Sequence, residues 1–187
     1  MKYLDNVDSE GGPLLIADAE VARKWRGSGN SDYDRACQVF IDDSSIQGHM
    51  VSIRQKQGLV WEIGGAGTAD VFLDRSDHLI VVRAWLDDPA DEMSTLFTLA
   101  ALPRTEVISL GSLEITSGVL AILWAPESGE CIESLEVVEC ERPTGEEMMS
   151  ESSGLLVALP NGIYSCLHDE VKGLDGEARR CHLTRNA

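Results

Sequence analysis

The fold of this chain is decided by the stretch His78-Leu79-Ile80-Val81-Val82-Arg83-Ala84-Trp85. Residues 79–82 form a continuous apolar run instead of an alternating apolar and polar pattern. Short continuous runs of this kind are typical of strands that are buried on both faces. We therefore predict a strand over 78–85 that lies in the centre of a sheet.

Other apolar segments on both sides of this stretch predict a fold rich in β-strands. Before it, we expect strands over 12–17, 46–54, 59–63 and 71–73. After it, we expect strands over 106–110, 113–116, 119–124, 135–140, 155–159 and 163–167. The turn Pro160-Asn161-Gly162 is predicted to join the last two of these strands as a hairpin.

Helix signals are few. Asp18 can cap a short helix over 19–25, and Asp32 can cap a second helix that reaches Phe40. The strongest signal follows Asp88, a cap candidate, and Pro89, because apolar residues recur at helical spacing over 93–100. The chain is therefore predicted to be an α+β protein with mostly antiparallel β-sheets and two or three helices. A single domain over 1–187 is expected; two packed β-rich subdomains that meet near 87–105 are the alternative.

Negative charge is concentrated in the middle of the chain. The protein has a net charge of −17, and residues 84–151 hold 15 carboxylates against 2 arginines, a net charge of −13. Such a concentration projects a strong negative field. It argues against direct binding to nucleic acid or to anionic membrane lipid, which both require Lys and Arg. The charge suits a basic partner, although a solvated acidic face without a partner would have the same composition.

The sequence also indicates a compartment. Its first residues lack the apolar segment of a signal peptide, and no apolar run approaches the roughly 20 residues that a membrane span needs. The five cysteines are odd in number and irregularly spaced. We therefore expect a cytoplasmic protein with reduced thiols. A disulfide between Cys131 and Cys140 is the alternative.

No motif predicts a catalytic or metal site. The cluster His168-Asp169-Glu170 would alternate between the two faces of a strand, so its side chains would surround one metal ion poorly. The run Gly64-Gly65-Ala66-Gly67 lacks the Lys and Ser or Thr of a phosphate-binding loop. We therefore expect no enzymatic activity, no cofactor and no bound metal.

Three segments near the N-terminus resemble a known family. They are Ser9-Glu10-Gly11-Gly12-Pro13-Leu14-Leu15-Ile16, Trp25-Arg26-Gly27 and Asp32-Tyr33-Asp34-Arg35-Ala36-Cys37. Together they are similar to the Gly-Gly-Pro strand, the Trp-x-Gly element and the Asp-Tyr-x-x-Ala-Cys element of the immunity protein 21 family of bacterial polymorphic toxin systems. The strand carrying Val82-Arg83 also fits, and the resemblance covers residues 7–90. It departs from the family pattern at Val7, where an aromatic residue is expected nearby.

The resemblance implies a small cytoplasmic protein that neutralises a cognate toxin domain, such as a nuclease, by binding it stoichiometrically. It implies no catalytic residue and no cofactor. Opposite charges across an interface speed association and reject wrong partners, so a basic toxin would suit this chain. The alternative is a small ligand-binding or enzymatic β-rich domain, which would show a deep pocket with convergent polar groups.

Two acidic clusters are the predicted partner-binding residues. The first cluster is Asp87, Asp88, Asp91 and Glu92, and the second cluster is Glu130, Glu133, Glu136, Glu139 and Glu141. If they lie close together in space, they form one field that can steer a basic toxin. The competing site is the surface near Trp25, Asp32 and Tyr33, where an aromatic residue would dominate the binding energy. Trp25 is expected to be partly exposed, because it lies between basic Lys24 and Arg26 just before Gly27.

Overall fold

The structure, a computed structural model, describes residues 1–30, 32–62, 64–87, 89–138 and 152–186. Within these ranges the chain forms twelve β-strands and three α-helices. The strands are β1 Lys2–Ser9, β2 Leu14–Asp18, β3 Gly48–Ile53, β4 Lys56–Trp61, β5 Gly67–Arg75, β6 His78–Leu86, β7 Ile108–Ile115, β8 Val119–Trp124, β9 Val137–Val138, β10 Gly154–Ala158, β11 Gly162–Lys172 and β12 Gly176–Arg185. The helices are α1 Ala19–Ala22, α2 Asp32–Asp42 and α3 Glu92–Ala101, and 3₁₀ turns span Gly27–Asn30 and Gly129–Ser134.

The strands form two six-stranded sheets. Sheet I has the order β1-β5-β6-β12-β11-β7, and all its pairs are antiparallel. Sheet II has the order β3-β4-β2-β8-β10-β9, in which only the pair β9–β10 is parallel among the described residues. The predicted α+β fold with mostly antiparallel sheets is confirmed.

Strand alternation divides the apolar side chains among three cores. The inner faces of the two sheets pack together in a central core that includes Val81 and Ile122. α3 covers the outer face of sheet I, where Leu99 belongs to the same core as Val82. α1, α2 and the Gly129–Ser134 turn cover the outer face of sheet II. The described chain is therefore built in four layers, with helices outside both sheets.

The predicted central strand is confirmed. β6 lies between β5 and β12 in sheet I, and its apolar run is buried on both faces. Leu79 and Val81 face the central core, whereas Ile80 and Val82 lie under α3. The run does not alternate because both faces of this strand meet an apolar layer.

The predicted hairpin at Pro160-Asn161-Gly162 is wrong. β10 pairs with β8 and β9 in sheet II, whereas β11 pairs with β12 and β7 in sheet I. The turn therefore carries the chain from one sheet to the other. Turn residues specify that the chain reverses direction, but they do not specify which strand the next segment will pair with.

α3 begins later than the sequence predicts. Its N-cap is Asp91, whose side chain accepts a hydrogen bond from the backbone nitrogen of Ser94 at 3.0 Å. Pro89 therefore precedes the helix, and Asp88 lies outside the described residues. α1 is capped by Asp18 as predicted, but it ends at residue 22 instead of residue 25.

Two strands, β1 and β12, lie where the sequence patterns predict none. The segments 106–110 and 113–116 belong to one strand, β7, instead of two. The thiols of Cys37, Cys131, Cys166 and Cys181 are free, and Cys140 lies outside the described residues. No helix within the described ranges has the length and apolar character needed to cross a membrane.

Candidate functional site

The inner face of β6 changes character beyond the central core. Arg83 and Trp85 lie on the same face of the strand as Val81, because side chains two residues apart share a face. Arg83 is 3% exposed, but Trp85 is 41% exposed. One end of sheet I therefore presents a large aromatic side chain to solvent directly beside a buried arginine.

Trp85 is held against the neighbouring strand β12. Its register partner there is Glu177, and Arg179 is the partner of Arg83. The guanidinium carbon of Arg179 lies 5.3 Å from the centroid of the Trp85 ring, which is the geometry of a cation–π contact. The two side chains line a groove of about 190 Å³ together with Glu170, Val171, Lys172, Glu177 and Ala178.

Exposed carboxylates surround this tryptophan. Glu170 and Glu177 line its groove. Asp87 follows β6, and its backbone nitrogen donates to the carbonyl of Asp175 at 3.0 Å, so these two acids lie together at the same end of the sheet. We call Trp85, Asp87, Glu170, Asp175 and Glu177 the Trp85 surface.

A buried ion network anchors the Trp85 surface from below. Glu62 follows β4 of sheet II and is fully buried. Its two carboxylate oxygens bind Arg83 at 2.8 Å and Arg179 at 2.6 Å. Arg83 also donates to the hydroxyl of Ser9 and to the carbonyl of Gly12. Arg179 is thus fixed by Glu62 while it covers Trp85, so the exposed ring rests on a rigid base.

One residue of the first predicted acidic cluster belongs to this surface. Asp87 belongs to the Trp85 surface, and Asp91 and Glu92 are exposed at the start of α3. Asp88 lies outside the described residues. The negative charge of Glu92 adds to the burial that raises the pKa of Asp70, which lies in β5 beside β6. Asp87 is therefore at the Trp85 surface, whereas Glu92 lies near the outer face of sheet I, which α3 covers.

The second predicted cluster lies elsewhere. Glu130 and Glu133 are exposed on the Gly129–Ser134 turn, and Glu136 is exposed just before β9. That turn packs on the outer face of sheet II, whereas α3 packs on the outer face of sheet I. Glu139 and Glu141 lie outside the described residues. The described members of the two clusters are on opposite sides of the sandwich, so they do not form one continuous surface.

The expected exposure of Trp25 is wrong. Trp25 is 3% exposed and lies in the core outside sheet II, where its indole nitrogen donates to the carbonyl of Ala125 at 2.7 Å. Asp32 is also buried, and hydrogen bonds from Arg26 lower the pKa of its carboxyl. Tyr33 is half-buried. These three residues stabilise the fold, and Trp25 has no exposed ring to offer a partner.

A second groove, of about 530 Å³, lies between α3 and the turn that joins β11 to β12. It is lined by Ser94, Thr95, Thr98, Leu99, Leu102, Lys172, Gly173, Leu174 and Asp175. The hydroxyls of Thr95 and Thr98 donate to carbonyls of their own helix. These groups are already satisfied, so they are poorly placed to bind a polar ligand.

Asp70 lies next to the acidic end of sheet I in an unfavourable position for a charge. Burial raises the pKa of Asp70 to about 6; the hydroxyl of Tyr3, which donates to it at 3.2 Å, opposes the shift, and Glu92 and Asp8 add to it. The unfolded carboxyl loses its proton near pH 3.8. The contribution of Asp70 to stability is therefore most favourable below that pH and is lost as pH rises to about 6, because between these values only the folded state holds the proton.

Replacing this carboxyl by an amide should stabilise the protein at neutral pH. In Asp70→Asn, the new side chain still accepts from Tyr3 but carries no buried charge. We expect the free energy of unfolding to rise by up to about 3 kcal/mol at pH 7–8 and to change little near pH 4. Urea denaturation across this range measures the effect, with the exposed Asp42→Asn as a control. A gain that is the same at all pH values would contradict this explanation.

The sequence patterns did not single out Trp85, Arg179 or Glu62. A signal was present only for Trp85, which follows Arg83 at a two-residue spacing on a strand predicted to be buried. Among the described residues, no group of three or more His, Cys, Asp or Glu side chains could hold a metal ion. Comparisons with protein-family models, with curated proteins and with solved structures gave no match, so the similarity to the immunity protein 21 family stays a prediction.

Proposed function

We propose that this chain is an immunity-type binding protein that neutralises a basic partner, a cognate toxin domain, through the Trp85 surface. One observation carries the proposal: a tryptophan that is 41% exposed lies among exposed carboxylates at one end of sheet I. Tryptophan is enriched among the residues that dominate protein–protein binding energy. Carboxylates around it would attract Lys and Arg of a partner and guide its approach.

The rigid base below Trp85 supports this role. Ordering a mobile side chain on binding costs free energy, and an aromatic ring that is already fixed avoids most of that cost. Arg179 is held by Glu62 and by Glu170, whose carboxylate is 3.1 Å from the Arg179 Nε. It covers part of the Trp85 ring and leaves the remainder exposed. A partner would therefore meet a ring whose position is set before binding.

The test is to search the neighbouring genes for a toxin domain and to measure its binding to this chain; the absence of such a domain would count against the proposal. Trp85→Ala should weaken its affinity by about 2 kcal/mol, which is roughly 30-fold, because a central aromatic anchor is lost. The double reversal Asp87→Lys/Glu177→Lys should instead slow association and reduce its dependence on salt. Surface plasmon resonance at several ionic strengths measures both effects.

The matched control is Glu130→Lys/Glu133→Lys, which makes the same change in charge on the opposite side of the sandwich. We expect it to leave dissociation unchanged and to slow association less than the reversal at the Trp85 surface does. If this control abolishes binding while Trp85→Ala binds normally, the partner uses sheet II and the proposed surface is wrong. If the toxin domain binds neither the wild type nor any variant, the proposed function itself fails.

A further inference from the structure

A chain of four side chains crosses the outer face of sheet I. His78 in β6 and His182 in β12 face each other, with His78 Nε2 and His182 Nδ1 separated by 3.2 Å. At the two ends, His78 Nδ1 lies 3.1 Å from Asp74 of β5 and His182 Nε2 lies 3.1 Å from Asp169 of β11. The row therefore reads carboxylate, imidazole, imidazole, carboxylate across four adjacent strands.

The two imidazoles meet end to end. Their planes differ by only 22°, and their ring centroids are 5.5 Å apart. The facing nitrogens are 3.2 Å apart, so the centroid separation exceeds the nitrogen separation by two centroid-to-nitrogen distances of an imidazole ring. The two nitrogens therefore lie close to the line between the ring centres, as they do in an N–H···N hydrogen bond.

A hydrogen bond between the two imidazoles requires a third proton. A carboxylate only accepts hydrogen bonds, so His78 Nδ1 and His182 Nε2 must both carry hydrogens. If both rings are neutral, the two facing nitrogens are then bare, and their lone pairs point at each other. A third proton, on His182 Nδ1, converts this contact into a hydrogen bond to His78 Nε2.

Arg104 needs the same lone pair. It lies in residues 102–107, the segment between α3 and β7 that we call the strap, and its Nη2 is 3.0 Å from His78 Nε2. An imidazole nitrogen has one lone pair in its ring plane, so it accepts one good hydrogen bond. We propose that a proton on His182 and the guanidinium of Arg104 compete for His78 Nε2, so that acidification detaches Arg104 from sheet I and loosens the strap. The strap then keeps its hydrogen bonds from Thr105 to the carbonyl of Glu170 and from Arg180 to the carbonyls of Leu102 and Pro103.

Charges on the surrounding elements set the pH at which the proton displaces Arg104. Burial lowers the pKa of both His78 and His182, and Arg104 lowers it further for both rings. Arg75 of β5 has the same effect on His78, as Arg180 of β12 has on His182. Asp74 and Asp169 act in the opposite direction. The third proton therefore binds with a pKa below the ordinary histidine value. At higher pH, Arg104 stays bound to His78 and holds the strap against sheet I.

Limited trypsin digestion reports loosening of the strap, because Arg104 is itself a cleavage site. The ratio of cleavage after Arg104 to cleavage after Arg54, an exposed residue in the turn between β3 and β4, cancels the pH dependence of the protease. In the wild type this ratio should rise as pH falls from about 8 to about 5.5, by up to about tenfold per pH unit for a step linked to one proton. His182→Leu keeps His78 and Arg104 but removes the second imidazole that shares the proton, so the rise should move to lower pH.

Imidazole ¹⁵N NMR of the wild type provides a second measurement that does not depend on a core substitution. His182 Nδ1 should gain a proton with the same midpoint at which cleavage after Arg104 rises. In Arg104→Met this midpoint should move to higher pH, because the competing donor and its positive charge are gone. If His182 Nδ1 stays bare throughout, if Arg104→Met leaves the midpoint unchanged, or if the ratio rises at the same pH in His182→Leu as in the wild type, the proposal is overturned.

Discussion

Replacing Arg180 by methionine should lower the free energy of unfolding by about 3–5 kcal/mol. Arg180 and Asp169 are both fully buried and bind each other through two hydrogen bonds. The guanidinium also donates to the carbonyls of Leu99, Ala100 and Leu102 at the end of α3, at 3.0, 3.1 and 2.8 Å. The substitution therefore leaves the buried carboxylate of Asp169 with only His182 as a partner. It also removes the hydrogen-bond donor of the three carbonyls at the end of α3 and places an apolar side chain beside them.

Urea denaturation of three variants separates this effect from simple loss of a charge. Arg23→Met removes an arginine whose ion pair with Glu20 is exposed on both sides, so it should change stability by less than about 1 kcal/mol. Arg180→Met/Asp169→Leu removes both buried charges and should recover part of the loss. A single variant as stable as the wild type would show that the buried pair contributes nothing net.

The same pair has a consequence for pH. Burial alone would raise the pKa of Asp169, but hydrogen bonds from His182 and Arg180 lower it well below its usual range. A carboxyl with a lowered pKa stabilises the fold above the pH at which its unfolded form ionises, and this contribution is lost as pH falls towards the folded value. The pair therefore opposes acid unfolding only while Asp169 remains charged.

Buried charges also explain which strands the sequence could predict. β6 was predictable because both of its faces meet apolar layers, so its apolar residues follow one another. β12 was not, because its two faces carry Arg179, Arg180 and His182 between the apolar positions. β1 was hidden in the same way by buried Asp5 and Asn6. Hydrophobic patterning measures the polarity of residues, and it fails where polar residues are buried with partners.

The candidate site was harder to predict than the fold. Arg83 and Arg179 lie in two strands of sheet I, whereas Glu62 follows a strand of sheet II. Only the pairing of β6 with β12 and the packing of the two sheets bring them together. The burial of Trp25 depended on a carbonyl acceptor 100 residues away, at Ala125. Its neighbours Lys24 and Arg26 suggested exposure, but neighbouring side chains point in different directions and do not report the burial of the ring.

Glu62→Leu should be the second strongly destabilising substitution, with an expected loss of about 3–5 kcal/mol. Glu62 is the carboxylate that neutralises Arg83, which is 3% exposed, and also Arg179. Leucine leaves a buried guanidinium with only the hydroxyl of Ser9 and the carbonyl of Gly12 as partners. A neutral acceptor of the same size, Glu62→Gln, keeps one hydrogen bond to an arginine and should lose less.

The backbone conformation of Glu62 has a cost that can be measured separately from the loss of its carboxylate. Glu62 has φ = 59°, in the left-handed region that costs a residue with a side chain roughly 1–2 kcal/mol. Glu62→Gly removes this strain together with the carboxylate, so it should be more stable than Glu62→Leu by about that amount and still less stable than the wild type. The exposed Glu114→Gln, which breaks the surface pair with Lys56, is the control and should change little. If Glu62→Gly equals or exceeds the wild type in stability, the ion network does not stabilise this end of the sandwich, and the rigid base proposed for Trp85 loses its support.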